Sequence, residues 1–233
     1  MKISVIAIPE LALGKHNAKD SRLDEVDKIT KSKKKTYIQV ELVSEDLAPE
    51  ADAILAAKDT AADLVLKDLD FIETRLSRTE SPEEKTLLAK LKGILEKEEF
   101  VFSAGLSDVE KQGMTSYGLL TNKPVVLVDK NELEDKDALL ARAVREAGFI
   151  SFFTTGEKDT RAWLIKKGST AWESAKEIHS DIQKGFIRAE IISLDDFLAA
   201  GGESAAKQAG KMRLEQKDYI MQDGDLTNFR FNK

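Results

Sequence analysis

The chain has 233 residues and a net charge of −6, with 42% hydrophobic and 33% charged residues. This composition predicts a folded protein of one large domain or two modest ones, and the acidic balance argues against nucleic-acid binding by the whole surface while allowing a local basic face. The absence of cysteine excludes disulfides, zinc–thiolate sites and thiol nucleophiles, and only His16 and His179 could serve as histidine ligands or bases.

The sequence also gives no indication of a membrane protein. No apolar run approaches the roughly 20 residues that span a bilayer. The first residues lack the basic flank and the small-residue cleavage site of a signal peptide. We therefore expect a cytoplasmic protein with no membrane association, and we predict no metal site.

The first strands of an α/β layer are predicted near the N-terminus. Residues 2–8 and 37–43 are rich in valine and isoleucine, as buried parallel strands tend to be. Between them, residues 20–31 form a polar helix candidate. This part of the chain is therefore predicted to begin an α/β layer around a parallel sheet.

The segment after the first strand, IPELALGKHN, contains the pair Gly14-Lys15. A strand leading into a loop with Gly-Lys is typical of nucleotide hydrolases, whose phosphate loop follows the pattern G-x-x-x-x-G-K-[ST]. Here Pro9 stands in place of the first glycine, and His16 replaces the hydroxyl residue that coordinates magnesium. The segment is either a degenerate remnant of a phosphate loop, with Gly14 and Lys15 as cofactor-binding candidates, or an ordinary strand-to-helix turn with a solvated Lys15. A lone Gly-Lys pair favours the second interpretation.

Beyond residue 60 the apolar period becomes helical. Residues spaced by three and four form one seam at Ala62, Val65, Leu69, Ile72 and Leu76. A second helix is predicted to begin at Ser81-Pro82-Glu83-Glu84, because serine caps helices, proline suits the first helical position and Glu84 can close a capping box. One face of this helix carries Glu84, Leu88, Leu91 and Leu95. Two helices joined by a short turn predict a hairpin of antiparallel coiled-coil type.

The strand period returns after the hairpin. Residues 123–128 predict a short apolar strand, and residues 136–147 predict a helix that ends at Gly148. These elements would complete the α/β layer, so the hairpin is predicted to be an insertion into it. The predicted domains are an α/β domain at residues 1–58 and 114–147, the hairpin at residues 59–113, and a further domain at residues 148–233.

The remainder of the chain is β-rich. Strand-like runs lie at residues 149–153, 161–165, 186–192 and 228–231. Short helices are predicted at residues 170–178 and 194–200, with a turn at residues 222–225. A small mixed sheet wrapped around a helix is the simplest arrangement of these elements.

Several long motifs in this last third of the chain carry a family resemblance. They are Lys166-Lys167-Gly168-Ser169-Thr170-Ala171, Ile178-His179-Ser180-Asp181-Ile182, Lys184-Gly185-Phe186-Ile187-Arg188-Ala189-Glu190 and Lys217-Asp218-Tyr219-Ile220-Met221-Gln222-Asp223-Gly224-Asp225. In this order they resemble the C-terminal TGS domain of the YchF family of Obg-like ATPases. Weaker similarity continues upstream at Ser21-Arg22-Leu23-Asp24, the lysine run of residues 31–35, Glu41-Leu42-Val43 and Phe152-Phe153-Thr154-Thr155-Gly156.

The resemblance implies a fold for each part of the chain. It implies that the C-terminal domain is a β-grasp fold resembling ubiquitin. It also implies that the α/β layer corresponds to a P-loop nucleotide-binding domain interrupted by a coiled-coil hairpin. The expected fold class is thus α/β plus α+β, and it agrees with the three parts that periodicity alone predicts.

The chain departs from the family pattern at four places. The phosphate loop is altered, and the helix and first switch segment that should separate it from Ser21 are missing. The strand ending at Val43 is followed by Ser44-Glu45-Asp46, where the family has a magnesium-associated aspartate and Ala-Gly. Asp129-Lys130-Asn131-Glu132 replaces the base-recognition motif Asn-x-x-Glu. Since nucleotide hydrolysis depends on positioning, we predict no catalytic residue, no bound cofactor and no ATP or GTP hydrolysis.

The predicted function is therefore a non-catalytic binding or regulatory module. Its resemblance to TGS domains of translation-associated proteins implies the ribosome or a structured RNA as partner. Two alternatives stay open: a weak ATP- or GTP-binding protein or hydrolase that uses Lys15 in rearranged geometry, and a protein-interaction scaffold that uses the helical hairpin.

The predicted partner-binding residues are basic side chains that could contact phosphates without reading sequence. They are Lys166, Lys167, Lys184, Arg188, Lys207, Lys211 and Arg213. The alternative is that these charges only keep the domain soluble. His179 stands beside Ser180 and Asp181, but neighbours in one turn cannot normally stack as a hydrolytic triad, so we expect His179 to be a helix-end residue.

Overall fold

In the computed structural model, which describes residues 1–232, the apolar N-terminal run forms a strand at the centre of a five-stranded sheet. Within these residues the strands are β1 (Lys2–Ile6), β2 (Gly14–Ala18), β3 (Lys35–Thr36), β4 (Ile38–Val43), β5 (Ala53–Ala57), β6 (Val125–Val128), β7 (Phe149–Thr154), β8 (Thr160–Lys166), β9 (Phe186–Ile192), β10 (Arg213–Glu215) and β11 (Leu226–Phe231). The helices are α1 (Ser21–Thr30), α2 (Ala61–Arg78), α3 (Pro82–Leu95), α4 (Asp108–Gly113), α5 (Lys136–Glu146), α6 (Ala171–Ile178), α7 (Ser180–Lys184), α8 (Leu194–Ala200) and α9 (Glu203–Gln208). None of these described helices combines the length and the apolar composition that crossing a bilayer requires.

The chain folds into two compact units. The first unit consists of Met1–His16 and Val40–Leu139, and the second unit consists of Asn17–Gln39 and the chain from Leu140 onward. These units divide the chain differently from the predicted domains, because β3 pairs with the C-terminal strand β8 and Arg22 of α1 forms an ion pair with Asp223.

The sheet of the first unit has the strand order β2-β4-β1-β5-β6. β1 pairs in parallel with β4 and β5, and β5 pairs in parallel with β6. The structure confirms the strands predicted at residues 2–8, 37–43 and 123–128. The sequence prediction missed the interior strand β5, whose residues Ala-Ile-Leu-Ala-Ala contain few of the β-branched and aromatic side chains that mark strands.

The predicted helical hairpin forms from α2 and α3. Ser81 caps α3 by accepting a hydrogen bond from the Glu84 backbone N–H at 3.3 Å, and Pro82 begins the helix. Ion pairs from Glu73 to Lys92 at 2.7 Å and from Arg75 to Glu84 at 2.6 Å show that the helices run antiparallel. The buried seam contains Val65, Ile72, Leu88, Leu91 and Leu95. Ala62, which was predicted to lie in this seam, is exposed because the buried face of α2 begins at Leu64 and Val65.

The segment after the hairpin closes its apolar seam. It contributes Val101, Leu106, Met114, Tyr117 and Leu119 to the same buried cluster. The hairpin therefore shares its core with the segment that follows it, and this core buries more apolar area than the two helices would alone.

Asp68 is a buried carboxylate within this core. Its two oxygens accept hydrogen bonds from the Leu120 N–H at 3.0 Å, the Thr121 N–H at 2.7 Å and the Thr121 hydroxyl at 2.7 Å. Burial raises the pKa of Asp68 against the opposing effect of these hydrogen bonds. Because a buried carboxylate is costly unless its oxygens are bonded, Asp68 fixes the segment that leads into β6 on the side of α2.

The second unit contains a six-stranded mixed sheet with the order β10-β9-β11-β7-β8-β3. β9 is antiparallel to β10 and β11, β11 begins parallel to β7, and β7 is antiparallel to β8. Helix α6 contributes Ala171 and Ala175 to a core shared with Phe152, Ala189 and Phe229. The mixed sheet with a helix against one face is the arrangement that the strand spacing predicts.

Helix α1 and strand β3 belong to this second unit. β3 forms the sixth strand, pairing in parallel with the start of β8. The Thr30 and Thr160 hydroxyls are hydrogen-bonded at 2.8 Å, and the Lys33 N–H donates to the Glu157 carbonyl at 3.1 Å. The C-terminal sheet is thus completed by a segment that lies more than a hundred residues upstream in the chain.

Arg22 anchors α1 through two carboxylates. Its guanidinium contacts Asp20, the cap residue of α1, at 2.8 Å and Asp223 at 2.8 Å, and it lies over the Phe153 ring at 5.7 Å. Burial alone would lower the pKa of Arg22, but the hydrogen bonds and charges of Asp20 and Asp223 raise it. The three charged groups therefore form one hydrogen-bonded cluster between α1 and the turn before β11.

We predict that Arg22→Met lowers the free energy of unfolding by about 2 kcal/mol, because it leaves Asp20 and Asp223 without their charge-assisted partner. The matched control is Lys2→Met, which removes a more exposed ion pair with Glu50 at 3.5 Å and should cost about 0.5 kcal/mol or less. Urea unfolding followed by circular dichroism measures both values. Equal losses in the two variants would contradict the anchoring role of Arg22.

Candidate functional site

The edge where β1, β5 and β6 end is the first candidate site. Parallel strands end at the same edge of a sheet, and ligands of open α/β sheets bind outside these carboxyl ends. Residues 7–13, all of which the structure describes, contain no helix and lead from β1 directly into β2. Ile8 and Leu11 are buried, and the Leu11 N–H donates to the Ile8 carbonyl at 3.2 Å across a turn with Pro9 at its second position.

The structure corrects the predicted strand-to-helix turn at Gly14 and Lys15. Both residues lie in β2, the edge strand that β4 separates from β1. Gly14 has φ of 113°, a conformation that favours glycine, and Lys15 is exposed. A phosphate cradle needs backbone N–H groups that converge at a helix start, and a strand does not offer them. The mostly polar sequence of β2 gave no apolar alternation from which to predict it.

His16, which lies in the same strand, has a structural role. Its Nε2 lies 2.7 Å from the Ala12 carbonyl and its Nδ1 lies 2.8 Å from the Lys136 ammonium. Since an ammonium can only donate, Nδ1 accepts and Nε2 carries the hydrogen that is donated to Ala12. Both ring nitrogens are therefore used in fixing residues 12–16.

An open cleft of about 510 Å³ lies beside the end of β1, and its electrostatics are unfavourable for phosphate. Its charged lining residues are Glu45, Asp63, Lys67 and Asp70. The Lys67 ammonium is already paired with Glu45. Three carboxylates against one neutralised cation would repel a phosphate chain.

The residues that replace the base-recognition motif take part in local structure. Asp129 follows β6, receives the Lys58 ammonium at 3.0 Å, and caps the turn that begins at Lys130. The Glu132 carboxylate accepts a hydrogen bond from the Asp129 backbone N–H at 2.8 Å. These contacts close a capping box, which accounts for both carboxylates without a ligand.

The basic residues predicted to bind a partner do not form one surface. β8 and β9 run in the same direction, as their pairing through β7 and β11 shows. Lys166 ends β8, whereas Lys184 precedes β9, so these two cations lie at opposite ends of the sheet. The predicted set is therefore divided between two regions of the second unit.

The predicted cations also differ in whether carboxylates neutralise them. Lys211 is paired with Asp196 at 3.1 Å. Arg213 donates to the Tyr219 hydroxyl at 3.1 Å and lies 3.8 Å from the buried Asp225. Within residues 1–232, no carboxylate pairs with a further group of four exposed cations, namely Lys166, Lys167, Lys184 and Arg188.

A β-bulge decides the orientation of Arg188. Alternation along a regular strand would put Lys184, Phe186 and Arg188 on one face. The register between β9 and β11 shifts, however, so that Phe186 is opposite Phe231 and Arg188 is opposite Arg230. Phe186 is therefore buried in the core and Arg188 is exposed.

A second cavity lies in the second unit, where β7 and β11 separate after their contact at Phe153 and Leu226. Its volume is about 360 Å³, and its polar lining includes Thr155, Glu190, Glu203 and Asn228. The sequence prediction missed these residues and the neighbouring Arg230. The sequence of β11 alone indicates that Asn228 and Arg230 lie on the same face of the strand. Which residues of β9 they face depends on the register between the two strands, which the sequence does not give.

Two further predicted features are accounted for by local contacts. His179 caps α7 by accepting a hydrogen bond from the Asp181 N–H at 3.1 Å, so it is a helix-end residue. In the lysine run, Lys35 is paired with Asp24, and the hydrogen bonds that its ammonium donates to Asp24 and Tyr37 raise the pKa of Lys35. Among residues 1–232, no group of three or more His, Asp or Glu residues is arranged to hold a metal ion.

Comparison with protein families gives a match in the C-terminal part. A family model described as YchF-GTPase_C, a protein of unknown function (DUF933), matches residues 149–232. These residues include all strands of the second sheet except β3.

The chain is also similar to characterised bacterial proteins. It is 34% identical to the ribosome-binding ATPase YchF of Haemophilus influenzae over 233 aligned residues, which cover 73% of this chain and 64% of that protein. It is 32% identical to the ribosome-binding ATPase YchF of Pasteurella multocida over 255 aligned residues, covering 81% of this chain and 70% of that protein. The chain thus spans less than two thirds of the Haemophilus protein, by the 64% coverage.

Among solved structures, the chain resembles the YchF GTPase of Schizosaccharomyces pombe. The TM-score is 0.80 with 18% sequence identity, and the comparison covers 99% of this chain and 97% of the other. At this low identity the likeness shows a shared mixed α/β fold.

We predict that Arg213→Gln lowers the free energy of unfolding by about 1 kcal/mol, because it removes a hydrogen bond to Tyr219 and the nearest cation of the buried Asp225. The matched control is Lys166→Gln, which removes an exposed cation without a carboxylate partner among the described residues and should change stability by less than about 0.5 kcal/mol. Urea unfolding followed by tryptophan fluorescence measures both. If Arg213→Gln unfolds with the same free energy as the unmodified chain, Arg213 does not stabilise the fold and its charge could instead contact a partner.

Proposed function

The chain belongs to the YchF family, and we propose that it is a ribosome-associated binding module of the cytoplasm that does not hydrolyse nucleotides. In this proposal residues 148–233 are a TGS-type β-grasp domain, the first sheet is a degenerate nucleotide-binding layer, and the helical hairpin is its coiled-coil insertion. The observation that carries the proposal is the direct connection from β1 to β2.

The connection from β1 to β2 bears on catalysis because phosphoryl transfer depends on positioned charges. A phosphate loop presents converging N–H groups and a lysine at the start of a helix. Here that helix is missing, Lys15 lies on an edge strand, and the neighbouring cleft carries three carboxylates. The base-recognition position is occupied by a capping box of Asp129 and Glu132. These features together support the absence of ATP and GTP hydrolysis.

Two observations support the ribosome as partner. The relatives from Haemophilus influenzae and Pasteurella multocida are named ribosome-binding ATPases. The second unit also has exposed cations with no carboxylate partner among residues 1–232, namely Lys166, Lys184 and Arg188. Ribosomal RNA presents a dense array of phosphates, which such cations can contact without reading sequence.

A second candidate function is a protein-interaction scaffold based on the hairpin. Large apolar side chains are exposed on and next to it, with Leu66 at 59%, Phe102 at 51% and Val109 at 80% exposure. Exposed apolar residues that recur in one region mark interaction surfaces. This function would be independent of salt, because it buries apolar area and not charge.

We predict that calorimetric titration with magnesium and ATP, or magnesium and GTP, gives no micromolar binding, because no group of the first sheet is arranged to hold the phosphates. Lys15→Ala should leave the result unchanged, since Lys15 is an exposed edge-strand residue. Micromolar affinity that Lys15→Ala abolishes would overturn this proposal in favour of a rearranged nucleotide site.

We also predict that the chain co-sediments with ribosomes at low salt and dissociates as salt rises, because each neutralised phosphate releases condensed counterions. The measurement is the pelleted fraction across a series of salt concentrations. Val109→Ser serves as a control that changes the hairpin surface and should not alter the profile. Association that persists at high salt and is lost in Val109→Ser would favour the scaffold function.

A further inference from the structure

Two arginines lie on β9 and β11 next to the residues Glu190 and Asn228, which line the cavity of the second unit. Arg188 and Arg230 are directly opposite each other on β9 and β11, and Glu190 and Asn228 form the next pair on the same face. Like charges that face each other across two strands destabilise a sheet. Glu190 offsets the charge of Arg230, so Arg188 is the member of the pair whose charge no carboxylate among residues 1–232 offsets, and a bound anion would offset it.

Glu190 orders one of the two arginines. It is buried, with 6% of its surface exposed, and it accepts hydrogen bonds from the Asn228 amide at 2.7 Å and from the Arg230 guanidinium. Burial would raise the pKa of Glu190, but these hydrogen bonds and the charges of Arg230 and Lys207 lower it, so the side chain stays ionised. Arg188 has no carboxylate partner among residues 1–232, so its charge is available to a ligand.

The cavity itself suits a neutral polar group. Its volume of about 360 Å³ lies in the range of small-molecule sites, and its wall includes the aromatic residues Phe197 and Phe229. The carboxylates of Glu190 and Glu203 line it as well, and they would repel a phosphate inside the cavity. The same carboxylates are acceptors for N–H groups, because a carboxylate has about four lone-pair positions and Glu190 uses part of them.

These properties match one nucleotide of unpaired RNA. Single-stranded RNA is recognised through splayed bases that enter apolar or aromatic pockets and bond through their edges, while basic groups hold the backbone. A carboxylate accepts a hydrogen bond from an exocyclic amino group such as N4 of cytosine, and uracil has no such donor.

We propose that the cavity between β7 and β11 receives one unpaired RNA base that bears an exocyclic amino group, while the Arg188–Arg230 pair binds its backbone phosphate. This inference rests on the proposed function, because it names the part of a ribosomal partner that the second unit would contact. The sequence predicted seven basic residues as the contact surface. This inference places the contact on β9, β11 and the cavity beside them.

The test is fluorescence anisotropy of the full chain with labelled 12-nucleotide oligocytidine and oligouridine, which carry equal charge. Oligocytidine is expected to bind more tightly. Arg188→Gln should weaken oligocytidine binding about tenfold, as expected for one charge-assisted hydrogen bond. It should also reduce the slope of log affinity against log salt by about 0.7, because one phosphate contact is lost.

Two variants separate binding from folding. Arg188→Glu should abolish binding without lowering the melting temperature, because a glutamate opposite Arg230 replaces a like-charge pair with an opposite-charge pair. Thr155→Leu, which enlarges a side chain lining the cavity, should weaken oligocytidine binding, whereas Thr155→Ser should not. The matched charge control is the double variant Lys85→Gln with Lys97→Gln, which removes two exposed cations of the first unit and should leave oligocytidine binding unchanged.

Glu203→Gln tests the recognition of the base. This residue begins α9 and its carboxylate lies 3.4 Å from the Thr155 hydroxyl, so the substitution changes one acceptor with little effect on the core. It should reduce the preference for cytidine over uridine while leaving the affinity for oligouridine unchanged.

Several results would overturn the inference. They are equal affinity for the two oligonucleotides, unchanged binding in Arg188→Gln or Thr155→Leu, and displacement of the RNA by equal concentrations of free cytidine monophosphate, which would indicate a mononucleotide site. Ribosome co-sedimentation distinguishes these failures from failure of the proposed function. If Arg188→Glu still binds ribosomes, the proposed function stands and the proposed RNA site is wrong. If the unmodified chain does not bind ribosomes, the proposed function is wrong.

Discussion

The constraint with the widest consequences is the length of the connection between β1 and β2. Residues 7–13 separate these strands, which is fewer than the roughly 11 residues of an average helix. The chain can therefore only turn at Pro9 and enter the edge of the same sheet. The pairing of β1 with β4 and β5 forms the parallel core of the first sheet, and the buried side chains of Ile8 and Leu11 follow the end of β1.

A second principle of this structure is that carboxylates, from the buried Asp225 to the exposed Asp223, select which cations are structural. Asp20 and Asp223 hold Arg22, Asp24 holds Lys35, and Asp225 lies beside Arg213. Each of these pairs joins segments that are distant in sequence or fixes a turn. Exposed cations such as Arg188 differ from these structural cations in their surroundings and not in residue type, because no carboxylate among residues 1–232 pairs with them.

Some features of the chain could be predicted from the sequence because they depend on neighbouring residues. The period of Val65, Ile72, Leu88 and Leu91 predicted the hairpin, and Ser81 and Pro82 predicted the start of its second helix. The valine- and isoleucine-rich runs predicted β1, β4 and β6. Long motifs in the last third predicted the YchF family. In each case the information lies within one element or in contiguous residues, so a single sequence contains it.

The tertiary structure decided the features that depend on which segments meet. Strand β5 was missed because its alanines become a strand through burial between β1 and β6, and β2 was missed because an edge strand needs no apolar alternation. Residues 17–39 join the C-terminal sheet through Arg22 and β3, contacts that no local pattern specifies. The bulge between β9 and β11 turns Arg188 outward and opposite Arg230, because strand register is set by pairing across the whole sheet. The sequence by itself thus determined the hairpin, the strands β1, β4 and β6 and the family, whereas long-range pairing determined the edge strand at Lys15 and the position of Arg188 opposite Arg230.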